Sequence, residues 1–287
     1  MKVINNLKDQ EIIDYGVKSI NAMSQWSETQ GENINIAVFD TGIDYTHKDL
    51  MERVKGGANF TTANTLDYMD RNGHGTFCSG IISATKNGSG IIGVAPRANL
   101  YAIKILNDEG KGNPLWIKDG ILWSVNNNIQ IISMSLGYNK NSPETYAAIQ
   151  EAYKKGIIMV AATGNDPQQS FVDYPARYPE VIGVTAIDQY ERIGGFCNRD
   201  NGCNIELAAP GIDIISTYLS NTYAIASGTS FACPHITGAI ALLQAKAFRR
   251  YNKFLTLNEI KLLLEMNAKD LGAKGKDNEY GYGLFRF

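Results

Sequence analysis

The sequence predicts an α/β protein with three layers, in which helices cover both faces of a mostly parallel central sheet. Apolar runs of strand length alternate with segments of helix length, as in residues 129–136, 143–155 and 157–162. Such alternation is typical of βαβ units, whose crossover helices pack on both faces of a parallel sheet. The chain has 287 residues, of which 44% are hydrophobic, and this is long enough to bury the core of such a fold.

Each predicted element depends on a local pattern. Strands are assigned to apolar or β-branched runs, namely residues 34–40, 100–106, 129–136, 157–162, 181–186, 205–208 and 222–225. Helices are assigned to residues 116–126, 143–155 and 258–266, to a segment that starts near residue 231, and to a first helical region after Tyr15. Pro234 is expected in a first helical turn, where its missing N–H has no intrahelical partner to lose.

The charge and hydropathy of the chain argue against two classes of partner. The formal net charge is −2, so nothing indicates binding to a polyanion and no nucleic-acid partner is expected. No apolar run approaches the length that spans a membrane. The first nine residues lack the apolar segment of a secretory signal. We therefore expect a cytoplasmic protein; the alternative is a secreted protein whose signal and pro-segment have been removed before Met1.

The four cysteines do not have the CxxC spacing of a metal site. Cys197 and Cys203 bracket a short polar stretch and could close a hairpin disulfide in an oxidising compartment. Cys78 and Cys233 lie in apolar segments, where we expect them to pack as small hydrophobic side chains. Because no secretory signal is present, reduced thiols are the expected state.

The most informative stretch is residues 221–244, which tightens through a glycine turn into an apolar helix. Ser230 falls at or just inside the N-terminus of this helix. Free backbone N–H groups and the positive end of the helix dipole favour an oxyanion at that position. A serine before an apolar run commonly caps the helix, so this stretch alone leaves capping and catalysis open.

Three other polar residues lie in similarly constrained settings. Asp40 ends a buried strand, His74 lies in a glycine turn before small apolar residues, and Asn165 follows an apolar strand. The segments around them read DTGID, NGHGT and ATGN, and the segment around the serine reads SGTSFACPHITG. In this order, the four segments resemble the signature segments of the subtilisin-like serine proteases (subtilases). The resemblance extends from about Tyr15 to the C-terminus.

This resemblance implies a catalytic role for each of these residues. Ser230 would be the nucleophile, and His74, whose pKa is ordinarily near neutrality, would be the general base and then the acid. Asp40 would orient the imidazole and stabilise the imidazolium. Asn165 would donate its side-chain N–H to the tetrahedral oxyanion. His235 follows Ser230 closely, but it resembles the structural histidine of the family rather than the base.

The resemblance also implies a domain organisation. Residues 15–287 would form the peptidase domain, and residues 1–14 would form a polar N-terminal arm or short extension. Extracellular subtilases carry a long pro-domain, whereas intracellular relatives carry a short inhibitory extension. Since the arm is too short to be a pro-domain, the intracellular type is expected, and the arm is interpreted as mobile or inhibitory.

Asp49 is expected to begin a calcium site. In the family, an aspartate at this position binds Ca²⁺ together with a glycine-rich loop, which matches residues 85–91 here. The implied ligands in this sequence are Asp49, Thr85, Asn87, Ser89 and Ile91, with an N-terminal ligand near Gln10 or Glu11. Carbonyl and amide oxygens of such a loop are the hard ligands that calcium needs. A simple turn between a helix and a strand explains the glycines equally well.

The remaining histidine, His47, invites a metal-binding interpretation beside Asp44 and Asp49. Zinc would need more neutral or thiolate ligands nearby. We therefore interpret His47 as a solvated loop histidine.

Two segments are expected to hold the substrate. They resemble the two edges between which subtilases clamp an extended peptide through main-chain hydrogen bonds. The implied residues are Gly110, Lys111 and Gly112 on one edge and Ser135, Leu136 and Gly137 on the other. Tyr138 stands where many relatives have a second glycine, and it could reshape one wall of the primary pocket.

Two carboxylates are predicted to set the specificity of that pocket. Asp173 falls where subtilisins of broad apolar preference have glycine, and Asp166 follows the oxyanion asparagine. A partly desolvated carboxylate favours a long cationic side chain, which predicts cleavage after Arg or Lys. In the alternative, Asp166 begins the next loop and Asp173 caps a turn, with both side chains solvated.

The predicted function is a serine endopeptidase acting on peptide or protein substrates. Its substrate would be either cytoplasmic protein in general or one precursor, such as the leader of a ribosomally made peptide. A rival from another class is a catalytically silent protein that binds peptides in the same cleft. The intact set of Asp40, His74, Asn165 and Ser230 argues against this rival.

Overall fold

The computed structural model describes residues 1–4, 7, 10–202 and 204–287. The strands in these ranges are β1 (Lys2–Ile4), β2 (Glu11–Ile13), β3 (Asn35–Asp40), β4 (Val54–Asn59), β5 (Gly90–Ile92), β6 (Asn99–Lys104), β7 (Ile131–Met134), β8 (Ile158–Ala162), β9 (Val181–Ile187), β10 (Ile205–Pro210), β11 (Ile214–Tyr218), β12 (Thr222–Ala226), β13 (Ala268–Lys269) and β14 (Leu284–Phe285). The α-helices are α1 (Tyr15–Ser19), α2 (His74–Ser83), α3 (Pro114–Asn126), α4 (Pro143–Lys154), α5 (Thr229–Tyr251) and α6 (Leu257–Met266).

Nine of these strands form the central sheet, in the order β13, β14, β10, β9, β8, β7, β3, β6, β4. Neighbouring strands pair in parallel, except that β13 and β14 are antiparallel. Parallel pairs need long crossover connections, and the helices supply them. The predicted mostly parallel sheet is confirmed.

Helices cover both faces of the sheet. On one face α5 packs against β7, β8, β9 and β10, and α2 packs against α5 and β3. On the other face α3 and α4 pack together and contact β3 and β8, respectively. Alternate residues of β3 enter separate cores, with Val38 in one buried cluster and Phe39 in the other. The predicted three-layer arrangement is confirmed, and no helix in the described residues has the length and hydropathy needed to cross a bilayer.

The topology gathers polar residues at one edge of the sheet. Strands β3, β7 and β8 are neighbours and run in the same direction, so their carboxyl ends lie side by side. Asp40 ends β3, Ser135 follows β7, and Asn165 lies shortly after β8. The carboxyl edge of a parallel sheet is where such folds place their ligand sites.

Helix α5 begins earlier than the sequence predicts. Its first residue is Thr229, and its N-cap is Gly228. The earlier start has a local cause, because Oδ1 of Asn165 accepts a hydrogen bond from the backbone N–H of Thr229 and so satisfies one of the helix's free donors. Pro234 therefore lies inside the helix rather than in its first turn, and that prediction was wrong.

A second, antiparallel sheet joins the start of the chain to the strand that leads into α5. Its order is β1, β12, β11, with Lys2 opposite Ile225 and Ile4 opposite Tyr223. Strand β2 pairs in parallel with β5. Of these strands, only β12 was predicted from the sequence. Residues 1–14, which the sequence predicts to be a polar arm or short extension, contain two of these strands, at residues 2–4 and 11–13.

Candidate active site

Asp40 and His74 form a hydrogen-bonded pair at the carboxyl edge of the sheet. Asp40 is fully buried, and His74 is the first residue of α2. Nδ1 of His74 lies 2.8 Å from Oδ1 and 2.9 Å from Oδ2 of Asp40. The carboxylate therefore favours the tautomer with the proton on Nδ1, which leaves Nε2 able to accept a proton.

The surroundings raise the pKa of His74 well above its ordinary value. Burial is the largest single effect and acts the other way, because it disfavours the charged imidazolium, but the charge and hydrogen bond of Asp40 together with those of Cys78 outweigh it. The His74 side chain keeps 21% of its surface exposed, so it remains accessible from the cleft. The carboxylate thus both orients the ring and stabilises its protonated form.

Ser230 is the second residue of α5, at the helix N-terminus where the sequence places it. The helix is capped by Gly228 without a side-chain hydrogen bond, so the alternative that Ser230 caps the helix was wrong. The hydroxyl of Ser230 donates to the carbonyl oxygen of Ser135 at 3.1 Å. Ser230 and His74 line the same cavity.

Pro234 fixes the backbone of Ser230 indirectly. A proline inside a helix leaves the carbonyl oxygen four residues earlier without its usual N–H donor, and here that oxygen belongs to Ser230. Oγ of Ser135 donates to it at 2.7 Å, and Sγ of Cys78 lies 3.5 Å away as a second donor. The first turn of α5 is therefore tied to the end of β7 and to α2, on which His74 lies.

Asn165 is exposed at the cleft, and its amide orientation is set by Thr229. Oδ1 of Asn165 accepts from the backbone N–H and from Oγ1 of Thr229, each at 3.0 Å. Since the oxygen is held by two donors, the NH₂ group is the end left for a ligand. A Cβ added to Gly228 would lie 3.8 Å from Nδ2 of Asn165. The amide group of Asn165 therefore lies next to the turn that precedes Ser230.

Most of the predicted substrate-binding residues line one cavity beside His74. This cavity of about 350 Å³ is bordered by Gly110, Gly112, Ser135, Leu136 and Gly137, as well as by Tyr138. Lys111 is exposed and does not line this cavity, unlike the other five residues of the two predicted edges. Hydrogen bonds of 2.8 Å in both directions join the backbones of Tyr138 and Tyr174 and connect this edge to the segment that carries Asp173.

Asp173 lies between two glycines of the predicted primary pocket. Its Oδ2 is 2.6 Å from the position that a Cβ would take on Gly137, and equally 2.6 Å from that on Gly164. Only glycine leaves room for the carboxylate at these two positions. Its other oxygen, Oδ1, is buried and has no hydrogen-bond partner among the described residues. Burial, and secondly the charge of Asp166, raise the pKa of Asp173.

Asp166 differs from Asp173 in being exposed. Its Oδ1 accepts from the backbone N–H of Gln168 at 3.1 Å, and its Oδ2 accepts from the side chain of Gln169 at 3.2 Å. These hydrogen bonds form a local turn, as expected if Asp166 begins the next loop with its side chain solvated. Asp166 therefore acts on Asp173 through its charge, which adds to burial in raising the pKa of Asp173.

The loop predicted to bind calcium closes over Asp49, which is fully buried. Oδ2 of Asp49 accepts from the backbone N–H of Ile91 at 3.1 Å and from the hydroxyl of Tyr223 at 2.9 Å. Nδ2 of Asn87 lies 3.1 Å from Oδ1 of Asp49. The carboxylate of Glu11 accepts from the N–H of Gly88 at 2.8 Å, so Glu11 rather than Gln10 meets the loop.

His47 is fully buried, and its interpretation as a solvated loop residue was wrong. Its Nε2 lies 3.0 Å from the carbonyl oxygen of Thr222, and its Nδ1 accepts from the backbone N–H of Asp49 at 3.1 Å. Burial lowers its pKa. Both ring nitrogens are engaged, so His47 connects the Asp49 loop to β12. The sequence pattern missed this because the partner strand lies far along the chain.

Three cysteines, Cys78, Cys197 and Cys233, are buried and not in disulfides. The predicted disulfide partner of Cys197 is Cys203, which lies outside the described residues. Burial raises the pKa of the Cys233 thiol to about 12, and it also raises that of Cys78. Cys78 was expected only to pack as a small hydrophobic side chain, but its sulfur also lies 4.0 Å from Nδ1 of His74.

Comparison with known proteins agrees with this geometry. Residues 31–283 match the model of the Subtilase family. The chain is 39% identical over 282 residues to the intracellular serine protease of Paenibacillus polymyxa, covering 96% of this chain and 86% of that protein. It is 38% identical over 275 residues to subtilisin E of Bacillus subtilis, with 94% and 68% covered. It is 38% identical over 274 residues to the minor extracellular protease Epr of the same species, with 95% and 41% covered.

The chain therefore belongs to the subtilase family of serine endopeptidases. The match covers the segments that carry all four predicted catalytic residues, and the resemblance stated from those segments is confirmed. As a protease, the protein acts on peptide or protein substrates.

Proposed function

We propose that this protein hydrolyses peptide bonds by nucleophilic attack of Ser230, with His74 as general base and Asp40 as the group that orients it. The single observation that supports this most is the pair of contacts between Nδ1 of His74 and the Asp40 carboxylate, at 2.8 and 2.9 Å. Attack moves the proton of the Ser230 hydroxyl to Nε2 of His74 and forms the Oγ–C bond to the substrate carbonyl. The imidazolium then gives that proton to the leaving amine as the C–N bond breaks.

The negative charge that develops on the substrate oxygen needs donors aimed at it. Asn165 and the backbone N–H of Ser230 would supply them. The two bonds from Thr229 hold the Asn165 amide with its NH₂ group directed away from that residue before substrate arrives. Such prior orientation is what makes a donor effective, because no reorganisation is then needed during the reaction. A water molecule deacylates the enzyme by the same proton transfers in reverse.

The primary pocket is proposed to accept Arg, and then Lys, before the scissile bond. The support is the position of Asp173, whose Oδ1 is buried without a hydrogen-bond partner among the described residues. A carboxylate oxygen that is buried without a partner is costly, and a guanidinium offers it N–H donors and the opposite charge. Asp166 would add to the attraction from the solvent side.

A peptide library tests the preference before any mutation is made. Peptides that differ only in the residue before the scissile bond are incubated with the enzyme, and the cleavage sites are read by mass spectrometry. We expect Arg first, Lys second, and Leu or Phe well below them. Preferential cleavage after Leu or Phe would overturn the pocket assignment while leaving the peptidase itself intact.

A structural Ca²⁺ site is proposed at the Asp49 loop. Asp49, the Asn87 amide oxygen, the carboxylate of Glu11 and loop carbonyls from Thr85, Ser89 and Ile91 would hold the ion. Gly90 has a positive φ of 72°, and a Cβ there would collide with the Asp49 carboxylate, so the loop backbone approaches that carboxylate closely. These are hard oxygen donors of the kind calcium takes. The Asn87 amide would have to turn over, since Nδ2 now faces Asp49.

Thermal unfolding with and without calcium tests this site without using activity. An ion that binds only the folded state stabilises that state by mass action, so chelation should lower the melting temperature of the wild type. Asp49→Ala should lose most of this response, whereas Tyr223→Phe, which removes one hydroxyl beside the same carboxylate, should keep it. Equal melting temperatures in calcium and in chelator for the wild type would contradict the proposal.

A cytoplasmic location and an inhibitory arm are also proposed. The name of the Paenibacillus relative supports the location, while Epr, of nearly equal identity, is named an extracellular protease. The arm proposal is supported by Met1, which lines cavities together with His74 and with Ser230. The natural substrate would be cytoplasmic protein in general or one precursor such as a peptide leader.

A further inference from the structure

The sequence contains Asn-Gly pairs at residues 72–73, 87–88 and 201–202. The last pair borders Cys203, which lies outside the described residues. An asparagine before a glycine is chemically labile, because the backbone nitrogen of the glycine can attack the side-chain amide carbon and no Cβ hinders its approach. Asn87 and Gly88 are both exposed, in the loop that closes over Asp49. This pair is the candidate for such a reaction.

The hydrogen bonds of Asn87 favour attack on its amide carbon. Its Oδ1 accepts from the backbone N–H of Ser89 at 3.1 Å and from the hydroxyl of Ser89 at 3.2 Å. The first of these bonds closes an Asx turn, which folds the side chain back over its own backbone and brings the amide carbon towards the nitrogen of Gly88. Both donors also stabilise negative charge on Oδ1 as the carbon becomes tetrahedral, in the manner of an oxyanion hole.

The attacking and leaving nitrogens each contact a carboxylate. The backbone N–H of Gly88 donates to Oε1 of Glu11 at 2.8 Å. Nδ2 of Asn87 donates to Oδ1 of Asp49 at 3.1 Å. A Cβ placed on Gly88 would meet nothing within 4 Å, so the backbone at this residue has open space in which to rotate as a ring closes. The loop thus holds the reacting groups in place and still leaves them room to move.

We propose that Asn87 and Gly88 form a self-modification site, whose product is a carboxylate that faces Asp49. The Gly88 nitrogen bonds to Cγ of Asn87 and the Cγ–Nδ2 bond breaks. The N–H proton passes by way of Glu11 to the departing nitrogen, which leaves as ammonia. Water then opens the five-membered succinimide: addition at Cγ leaves aspartate, and addition at the backbone carbonyl carbon leaves isoaspartate. Either product replaces an uncharged amide by a negative charge.

The new charge changes what stabilises the loop. Asp49 is fully buried, and the unmodified Asn87 amide donates to one of its oxygens. A second carboxylate in place of that donor repels the first and destabilises the folded state until a cation lies between them. The affinity of a calcium site increases with the charge of its ligands. The modification therefore makes the protein more dependent on calcium; this consequence rests on the proposed calcium site, whereas the cyclisation does not.

Asn72 and Gly73 provide an internal control, because their hydrogen bonds are similar and their surroundings are not. Oδ1 of Asn72 accepts from the backbone N–H of His74 at 3.3 Å, and the N–H of Gly73 donates to Oδ1 of Asp70 at 2.9 Å. Gly73 is buried, however, and a Cβ on it would lie 2.1 Å from Cε2 of Tyr218. Since the packed turn has no room to rotate, we expect Asn72 to stay intact in the folded protein.

Peptide mapping of the full chain tests the proposal, in the Ser230→Ala variant so that self-cleavage does not remove the loop. The protein is incubated in chelator at mildly alkaline pH, folded or in denaturant. Mass spectrometry detects the exchange of NH₂ for OH at each site, and an isoaspartyl methyltransferase detects isoaspartate. In the folded protein Asn87 should react at least about tenfold faster than Asn72, because placement of the reacting atoms alone changes rates by that much or more. In denaturant the two sites should react at similar rates. Equal rates in the folded protein, or faster reaction at Asn72, would overturn the proposal.

Three variants test the parts of the proposal separately. Glu11→Gln keeps a hydrogen-bond acceptor but removes the proton relay, so it should slow the reaction at Asn87 and leave Asn72 unaffected; an unchanged rate at Asn87 would overturn the relay. Asn87→Gln should show no product at this position, because its ring would need six members.

Asn87→Asp has the charge of the product from the start. It should melt at a lower temperature than the wild type in chelator, and calcium should raise its melting temperature more. A melting temperature equal to that of the wild type in chelator would overturn the predicted effect of the charge. A lower one that calcium leaves unchanged would support the effect of the charge and overturn the proposed calcium site.

Discussion

Asp40 and Asp173 are two carboxylates that differ in what surrounds them. Both oxygens of Asp40 lie within 2.9 Å of Nδ1 of His74, and Oδ1 also accepts from the backbone N–H of Thr41 at 2.8 Å. Asp173 has one oxygen between two glycines and another that is buried without a partner among the described residues. The chain itself completes the catalytic centre, whereas the pocket is left for a ligand to complete.

This difference separates what the fold needs from what the substrate supplies. A buried carboxylate with several hydrogen bonds is held in place and can orient a partner. A buried carboxylate without one destabilises the folded state until a cation arrives, and it can therefore discriminate between ligands. Catalysis should depend steeply on the first set of contacts, and specificity should depend on the second.

The largest effect is expected from the oxyanion donor, which belongs to the completed centre. Asn165→Ala should lower kcat by about 100- to 1000-fold, the range known from the equivalent change in subtilisin, and should change KM little. Thr229→Val is the matched variant, because it removes one of the two bonds that orient the Asn165 amide. Since the backbone N–H of Thr229 remains, its loss should be on the order of tenfold or less. An unchanged kcat in Thr229→Val would contradict the orienting role of Thr229, and an unchanged kcat in Asn165→Ala would contradict the oxyanion role of Asn165.

A smaller and more selective effect is expected from the incomplete pocket. Asp173→Asn should lower the ratio of kcat/KM for Arg over Leu peptides at least about tenfold, because it removes the charge that a guanidinium would meet. Asp166→Asn should lower the ratio less, since this side chain is exposed and engaged by its own turn. If Asp166→Asn had the larger effect, the charge that selects the substrate would lie at the pocket mouth instead.

The smallest effect concerns pH and stability. The pKa of Asp173 is raised, so its folded form binds a proton more tightly than its unfolded form does. Stability from this group therefore increases as pH falls, and at neutral pH the charge destabilises the fold. Asp173→Asn should raise the melting temperature at neutral pH, and the wild-type preference for Arg should decline on acidification through that raised pKa. A melting temperature that falls at neutral pH would show that Asp173 has a partner.

The catalytic residues could be predicted from sequence because each lies in a short segment of restricted conformation. Asp40 ends an apolar strand, His74 starts a helix after a glycine turn, and Ser230 follows a second glycine turn. The order of strands and helices was predictable for the same reason, since the buried strands are continuous apolar runs.

What could not be predicted depends on pairing between distant parts of the chain. Residues 2–4 are too short a run to give a strand signal, yet they pair with β12 more than two hundred residues later. His47 is buried because the carbonyl oxygen of Thr222 reaches it. Pro234 is inside α5 because Asn165 completes the first turn of that helix. A local pattern contains none of these contacts.

Labelling of Ser230 is the measurement that tests the central claim most directly. The native enzyme is treated with a fluorophosphonate probe, which reacts only with an activated serine, and the labelled peptide is identified by mass spectrometry. We predict one label, on Ser230, together with its loss in Ser230→Ala and in His74→Ala, and loss of peptide hydrolysis in both variants while their melting temperatures remain near that of the wild type. Labelling at another serine, or hydrolysis that persists in Ser230→Ala at the wild-type rate, would contradict the account.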